Sequence, residues 1–198
     1  MPARPAVLSI RKAPRQTRSA HTVEAILEAA ALVLEADGLE GFNTNAVARR
    51  AGASIGTLYQ YFPSKDALIL ALLQREEGKY REAATAVAAL PDWREALSTF
   101  IAVSAQQQLE RPNLARLLDQ EEGRPDIRAA LDKGHSFIVL MAGILKRGGR
   151  SDSQLAAADL LALIRGMTDA AGERGERDPA NLAHRINAAV FGYLDSVS

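Results

Sequence analysis

The sequence predicts an all-α protein, and three observations carry that expectation. Apolar residues return at helical spacing along most of the chain. Capping residues, prolines and glycines punctuate those stretches at the places where helices begin and end. No stretch alternates apolar with polar residues as a half-buried strand would, and no Asn-Gly hairpin turn is present.

Residues 1–20 hold Pro2, Pro5 and Pro14 among basic and small residues without an apolar period, and are expected to form a flexible arm. Val23, Ile26, Leu27, Ala30, Val33 and Leu34 then mark a first helix, with Gly38 as its stop. Asn43-Thr44-Asn45 is capping chemistry for a second, Ala46–Ala51, closed by Gly52. Ser54 caps a short third helix that Pro63 ends. Ser64 caps a longer one, with Asp66 in its first turn, where the helix dipole favours an acid. Asp92 caps a segment bearing Trp93, Leu97, Phe100, Ile101 and Ser104, and Pro112 opens a short piece. Pro125 opens a helix expected to run through Ile127, Leu131, Ile138, Met141 and Leu145 to Gly148-Gly149. Segments at about 153–171 and 179–195 finish the chain, giving about nine helices.

Composition narrows the function classes. With 198 residues and 47% hydrophobic content, the chain can build a buried core. The absence of cysteine excludes a disulfide framework, a thiolate nucleophile and cysteine-ligated metal. No apolar run approaches the roughly 20 residues of a membrane span, and no apolar segment follows the N-terminal charges as in a secretory signal. A cytoplasmic protein with no membrane partner is expected. Net charge is zero but unevenly spread: residues 1–65 hold 8 basic and 5 acidic side chains, and residues 66–198 hold 16 and 19. A positive N-terminal end suits an anionic partner, or is simply a solvated tail.

Three short helices with a tight turn between the second and third describe a helix-turn-helix, here turning at Ala51-Gly52-Ala53-Ser54. Leu58 and Phe62, four apart, are expected to face inward and leave Thr57, Tyr59, Gln60 and Tyr61 wholly or partly outward. The run Ala51-Gly-Ala-Ser-Ile-Gly-Thr-Leu-Tyr-Gln-Tyr-Phe-Pro-Ser-Lys-Asp-Ala-Leu68, with Asn43-Thr-Asn-Ala-Val-Ala48 before it, resembles the signature of the TetR family of bacterial transcriptional regulators. The resemblance covers about residues 22–70. It implies a DNA-binding domain at 21–65, after the arm at 1–20, and an effector-binding and dimerisation domain at 66–198.

Carried over residue by residue, the resemblance implies that Thr44 contacts a phosphate and Asn45 reaches a base edge. Ser54 stands at the start of the recognition helix, which Gly56 and Thr57 open, glycine allowing close backbone approach. Tyr59 and Tyr61 look like phosphate or thymine-methyl contacts. Gln60 suits adenine in the major groove, and Lys65 looks like a phosphate clamp. Local roles compete with these: Thr44 and Ser54 as caps only, Tyr59 as core, Lys65 as a solvated charge.

No catalytic constellation is found, no metal site is expected, and no cofactor is expected. His21, His135 and His184 are far apart in sequence and have no ligand spacing. Gly52-Ala-Ser54-Ile-Gly56 fits the nucleophile-elbow pattern, but that elbow needs a preceding strand, where this chain predicts a helix. Glu121-Glu122 is expected to be a solvated pair, since adjacent side chains point apart.

In the C-terminal part, Trp93, Phe100, Ser104, Gln108, His135, Ile138 and Met141 interrupt or line apolar stripes. They are candidates for a pocket taking a small, mainly apolar effector; ordinary core packing is the alternative. Leu160, Ile164, Met167, Leu182, Ile186, Val190 and Tyr193 form stripes suited to a four-helix homodimer interface, or else to one subunit's own core. The resemblance favours a homodimer on a palindromic double-stranded DNA operator, acting as a repressor that a small molecule releases. A regulator with no small-molecule effector, and a helical ligand-binding protein that no longer reads DNA, are the rivals.

Overall fold

The computed structural model describes residues 17–131 and 135–197, without the side chains of residues 17, 18, 135 and 136. Most of the expected arm therefore lies outside the described residues, as does the His135 side chain. Ten α-helices and no strands occur among the described residues. They are α1 (Thr17–Gly41), α2 (Thr44–Arg50), α3 (Ile55–Tyr61), α4 (Lys65–Ala88), α5 (Trp93–Glu110), α6 (Pro112–Glu122), α7 (Pro125–Ala130), α8 (His135–Arg147), α9 (Ser153–Glu173) and α10 (Pro179–Ser196).

Two expectations change here. The helix read as continuous from Pro125 to Leu145 is two, α7 and α8: Leu131, after α7, takes extended backbone (φ −94°, ψ 111°). The first helix begins at Thr17, inside the segment expected to be an arm, and bends at Gly38 (φ 64°, ψ −173°) before one last turn.

The described chain divides into two compact units. The first runs to Glu76 and takes in Leu117–Leu131; the second holds Glu77–Arg116 and the residues after 131. The division between these two units falls inside α4. The first ten or so residues of that helix carry Leu68, Ile69 and Leu72, all fully buried.

In the first unit, Ile26, Ala30 and Leu34 of α1, Val47 of α2, and Leu58 and Phe62 around α3 are wholly shielded from water. Two ion-pair clusters fasten the unit. Arg75 on α4, its side chain only 7% exposed, meets Glu24 (2.9 Å) and Glu28 (3.1 Å) of α1 as well as its neighbour Glu76. Arg124, between α6 and α7, meets Asp66 (2.9 Å), Glu121 (2.8 Å) and Asp126 (2.8 Å). Glu121 is thus no solvated carboxylate: it is 9% exposed, and one helical turn brings it under the guanidinium.

In the second unit α5, α8, α9 and α10 pack around Leu97, Phe100, Ile101, Met141, Ile144, Leu145, Leu160, Ile164, Leu182, Ile186 and Val190. Two arginines at the end of α8 serve helix ends that would otherwise leave carbonyls without donors. Arg147 donates to Ala88 O (2.8 Å) and Leu90 O (3.3 Å), and Arg150 to Leu194 O (3.1 Å) and Val197 O (2.9 Å).

Candidate nucleic-acid interface

The helix-turn-helix is built from local capping. Asn43 Oδ1 accepts from Ala46 N–H (2.9 Å) and starts α2. At its end Gly52 takes the left-handed conformation (φ 65°). Ala53 N–H then reaches back to Ala48 O (2.9 Å) and Gly52 N–H to Arg49 O (3.2 Å). This six-to-one and five-to-two pair closes the helix and turns the chain, and the positive φ is what glycine supplies at little cost. Ser54 Oγ then accepts from Thr57 N–H (3.0 Å) and starts α3.

The same groups leave hydrogen-bonding capacity on the surface. Ser54 Oγ and Thr57 Oγ1 lie 2.8 Å apart, and Thr44 Oγ1 and Tyr59 Oη 3.1 Å apart. Each pair has two hydroxyl protons and uses one between its members, whichever donates, so each retains one proton for an outside acceptor. Asn45 and Gln60 are exposed, and their amides can pair with base edges. Gly56 is exposed too, and a Cβ there would meet nothing closer than Ser54 Oγ at 3.8 Å, so no neighbour in the chain demands a glycine. Lys65 is exposed, with Nζ donating to Leu39 O (3.1 Å) and lying 5.5 Å above the Phe42 ring. An ammonium has three donors, so this anchoring holds the charge at the start of α4 without exhausting it.

The two tyrosines divide differently from expectation. Tyr59 is outside, 44% exposed, whereas Tyr61 is 8% exposed and packs beside Phe62. Tyr61 follows Leu58 by three residues, which puts both on one helix face, and that face is the buried one.

The effector candidates are spread out in the second unit. Trp93 and Gln108 lie fifteen residues apart on α5, about 22 Å along the axis at 1.5 Å per residue. Trp93 packs against Phe191 (centroids 6.3 Å apart) beneath the Arg94 guanidinium (4.6 Å). Gln108 lies against Gly172. Phe100 and Met141 are buried in the core, with Ile138 packed against it. Phe100 and Ser104 meet at Tyr80, a residue the sequence reading missed. Tyr80 Oη is 2.7 Å from Ser104 Oγ, and its ring is 5.9 Å from Phe100 and 5.1 Å from Phe137. Ser104 donates its own proton to Phe100 O (2.8 Å), so Tyr80 is the donor to Ser104.

Burial pushes the Tyr80 phenol up to about 12, outweighing the lowering effect of Ser104. The folded chain therefore keeps a proton that the unfolded chain releases near the ordinary tyrosine value of about 10. Stability from this group is complete below about pH 10 and declines as pH rises toward about 12, by roughly 3 kcal/mol. Tyr80→Phe is expected to lose about 1 kcal/mol at neutral pH, because Ser104 loses its donor. It should also flatten the alkaline decline, as read from urea midpoints across that range. An alkaline decline unchanged in the variant would show that Tyr80 is not its source.

The dimer candidates require a correction. Leu160, Ile164, Leu182, Ile186 and Val190 are taken up in the core of the single chain, so their stripes are satisfied without a partner. Met167 and Tyr193 are half-buried, with Tyr193 Oη donating to Asp159 (2.6 Å). Leu155 on α9, which the sequence reading did not single out, is 67% exposed.

The first unit thus contains a helix-turn-helix that presents polar side chains outward from α2 and α3. Residues 26–72 match the family model for bacterial regulatory proteins of the tetR family. Over 51 residues the chain is 45% identical to the HTH-type transcriptional repressor KstR of Mycolicibacterium smegmatis. That stretch is 26% of this chain and 25% of the relative. KstR of Mycobacterium tuberculosis matches equally, at 23% of its length. The chain therefore aligns with only about a quarter of these curated relatives.

The fold is shared more widely. A protein from Mesorhizobium loti described as a TetR-family transcriptional regulator superposes with a TM-score of 0.76 at 24% identity. The match covers 91% of this chain and 98% of that one. FadR from Bacillus subtilis, in complex with stearoyl-CoA, gives a TM-score of 0.71 at 20% identity over 84% of this chain and 96% of its own. Residues 26–72 are thus similar to the N-terminal helix-turn-helix domain of the tetR family of bacterial regulatory proteins, and the chain shares the fold of these structures.

Proposed function

We propose that the protein is a sequence-specific DNA-binding transcriptional regulator. On this reading it is a homodimeric repressor that leaves a palindromic operator when a small molecule binds. The observation that carries it is the pair of hydroxyl couples, Thr44–Tyr59 and Ser54–Thr57. They flank exposed Asn45 and Gln60 on a helix-turn-helix of the matched family. Hydroxyls and the Lys65 ammonium suit phosphates, which position a protein on DNA; amides suit base edges, which specify sequence. The activity is binding, with no reaction, and its place is the cytoplasm.

A small-molecule effector is supported by the Tyr80–Ser104 hydroxyls set among Phe100 and Phe137, a mainly apolar surrounding with a polar grip. The complex of the fold neighbour FadR with stearoyl-CoA is in keeping with a mainly apolar ligand. For the dimer, Leu155 and Met167 on α9 and Tyr193 on α10 supply apolar surface that the chain's own core does not use up. A twofold protein then presents two recognition helices to two half-sites.

The test is selection of bound duplexes from a random DNA pool, followed by titration of the winner at two salt concentrations. An enriched palindrome whose affinity falls with salt is expected; folded protein that enriches nothing, with or without candidate effectors, would overturn the reading. On the selected duplex, Gln60→Ala should erase preference at one base position, roughly tenfold in affinity. Lys65→Ala should weaken all duplexes alike and flatten the salt slope. If Lys65→Ala altered sequence preference instead, the two roles would be reversed.

A further inference from the structure

We infer that the small-molecule effector is a neutral, mainly apolar alcohol or phenol whose hydroxyl donates to Tyr80 Oη. The inference rests on the effector reading above and narrows its ligand class. Tyr80, Phe100, Ser104 and Phe137 all belong to the second unit, on α4, α5 and α8. Tyr80 and Phe137 are half-buried and Ser104 is 8% exposed, so the cluster is not sealed from solvent.

The direction of two hydrogen bonds sets what the ligand must bring. Ser104 commits its proton to Phe100 O (2.8 Å), one turn back on α5, and Tyr80 commits its own to Ser104 Oγ (2.7 Å). Each hydroxyl has one proton and two lone pairs, so both protons are spent while the phenol oxygen can still accept. An O–H brought by a ligand adds a bond and breaks none. A ketone or other acceptor must instead draw the Tyr80 proton away from Ser104, exchanging one bond for another. Donor ligands are thereby favoured over acceptors of the same shape.

The groups around the cluster select a neutral molecule. Arg81, next along α4, stands over the Phe137 ring (5.6 Å) and is paired with Glu77, so its charge is matched within the chain. The burial that pushes the Tyr80 phenol up opposes a carboxylate beside it in the same way. The rings of Phe100 and Phe137, with centroids 5.9 and 5.1 Å from that of Tyr80, suit the apolar remainder of the ligand.

The experiment is calorimetric titration of the full chain with n-octanol, methyl hexyl ketone and octanoate, and with cyclododecanol and cyclododecanone as a bulkier pair. Each alcohol is expected to bind roughly tenfold tighter than its ketone, with octanoate the weakest of the linear probes. Tyr80→Phe should bring each alcohol down to the level of its ketone. Ser104→Ala frees the phenol proton, so there the ketones should gain roughly tenfold while the alcohols hold their affinity. A hydroxyl pair with a purely structural role would not reorder the ligands in this way, and circular dichroism checks that both variants fold. A ketone or octanoate that binds wild type as tightly as the alcohol, or an alcohol preference that survives in Tyr80→Phe, overturns the inference while leaving a small-molecule effector in place. Neither heat nor a raised melting temperature with any probe overturns the effector reading at this cluster, and the inference with it.

Discussion

Phe62→Ala is expected to destabilise the first unit by about 3–5 kcal/mol and to abolish binding to the selected duplex. Helix α3 has seven residues, too few to persist alone in water. It is held by Leu58 and Phe62, both fully buried, with Phe62 at the C-cap donating its N–H to Leu58 O (2.9 Å). Truncation removes a whole ring from a packed site, and α3 also carries Gln60, so stability and DNA reading should fall together. Urea unfolding followed by circular dichroism checks the first, and anisotropy the second. The denaturation curve should lose its helical signal earlier by an amount matching one unit, because the chain contains two compact units. A variant with an unchanged midpoint and full affinity would show that Phe62 does not hold α3.

Gly148→Ala, in the turn that follows α8, should cost about 2–3 kcal/mol. A Cβ at this position would lie 2.8 Å from both Cδ2 and Cε2 of Trp93 and 3.2 Å from Leu145 O. The indole cannot swing aside as a flexible chain would, being packed against Phe191 with Arg94 above it. Trp93 is the chain's single tryptophan, so its emission reports the displacement directly. A red shift is expected in the folded variant, together with a lower urea midpoint. Trp93→Leu in the same chain should recover part of the loss, and a double-mutant cycle measures the coupling. Equal costs of Gly148→Ala with and without the indole would mean that the ring is not the obstacle.

The capping side chains were legible because their partners are three residues away. Asn43, Ser54, Ser64 and Asp92 each accept from the backbone N–H at the third following position, as their residue types and the pattern behind them suggest. Tyr61 turns inward because three-residue spacing from Leu58 defines the same helix face as the four-residue spacing of Phe62. The stripes of α9 and α10 revealed burial but not the agent of burial: a buried leucine has the same spacing whether its neighbours come from its own chain or from a second copy. Tyr80 and Ser104 are 24 residues apart on different helices, and Arg124 and Asp66 are 58 apart, so no local pattern joins either pair.

The way the first unit draws on two separated stretches of chain bears on its synthesis. Its earlier stretch, ending at Glu76, emerges from the ribosome some forty residues ahead of the later one, Leu117–Leu131. Until Arg124 has emerged, Asp66 has no guanidinium to receive, and until Leu131 has emerged the nascent helix-turn-helix is without the whole segment that completes its unit. Translation thus imposes a lag between the appearance of the recognition helix and the moment its unit can close. A fragment cut after α4 would be arrested in that unfinished state.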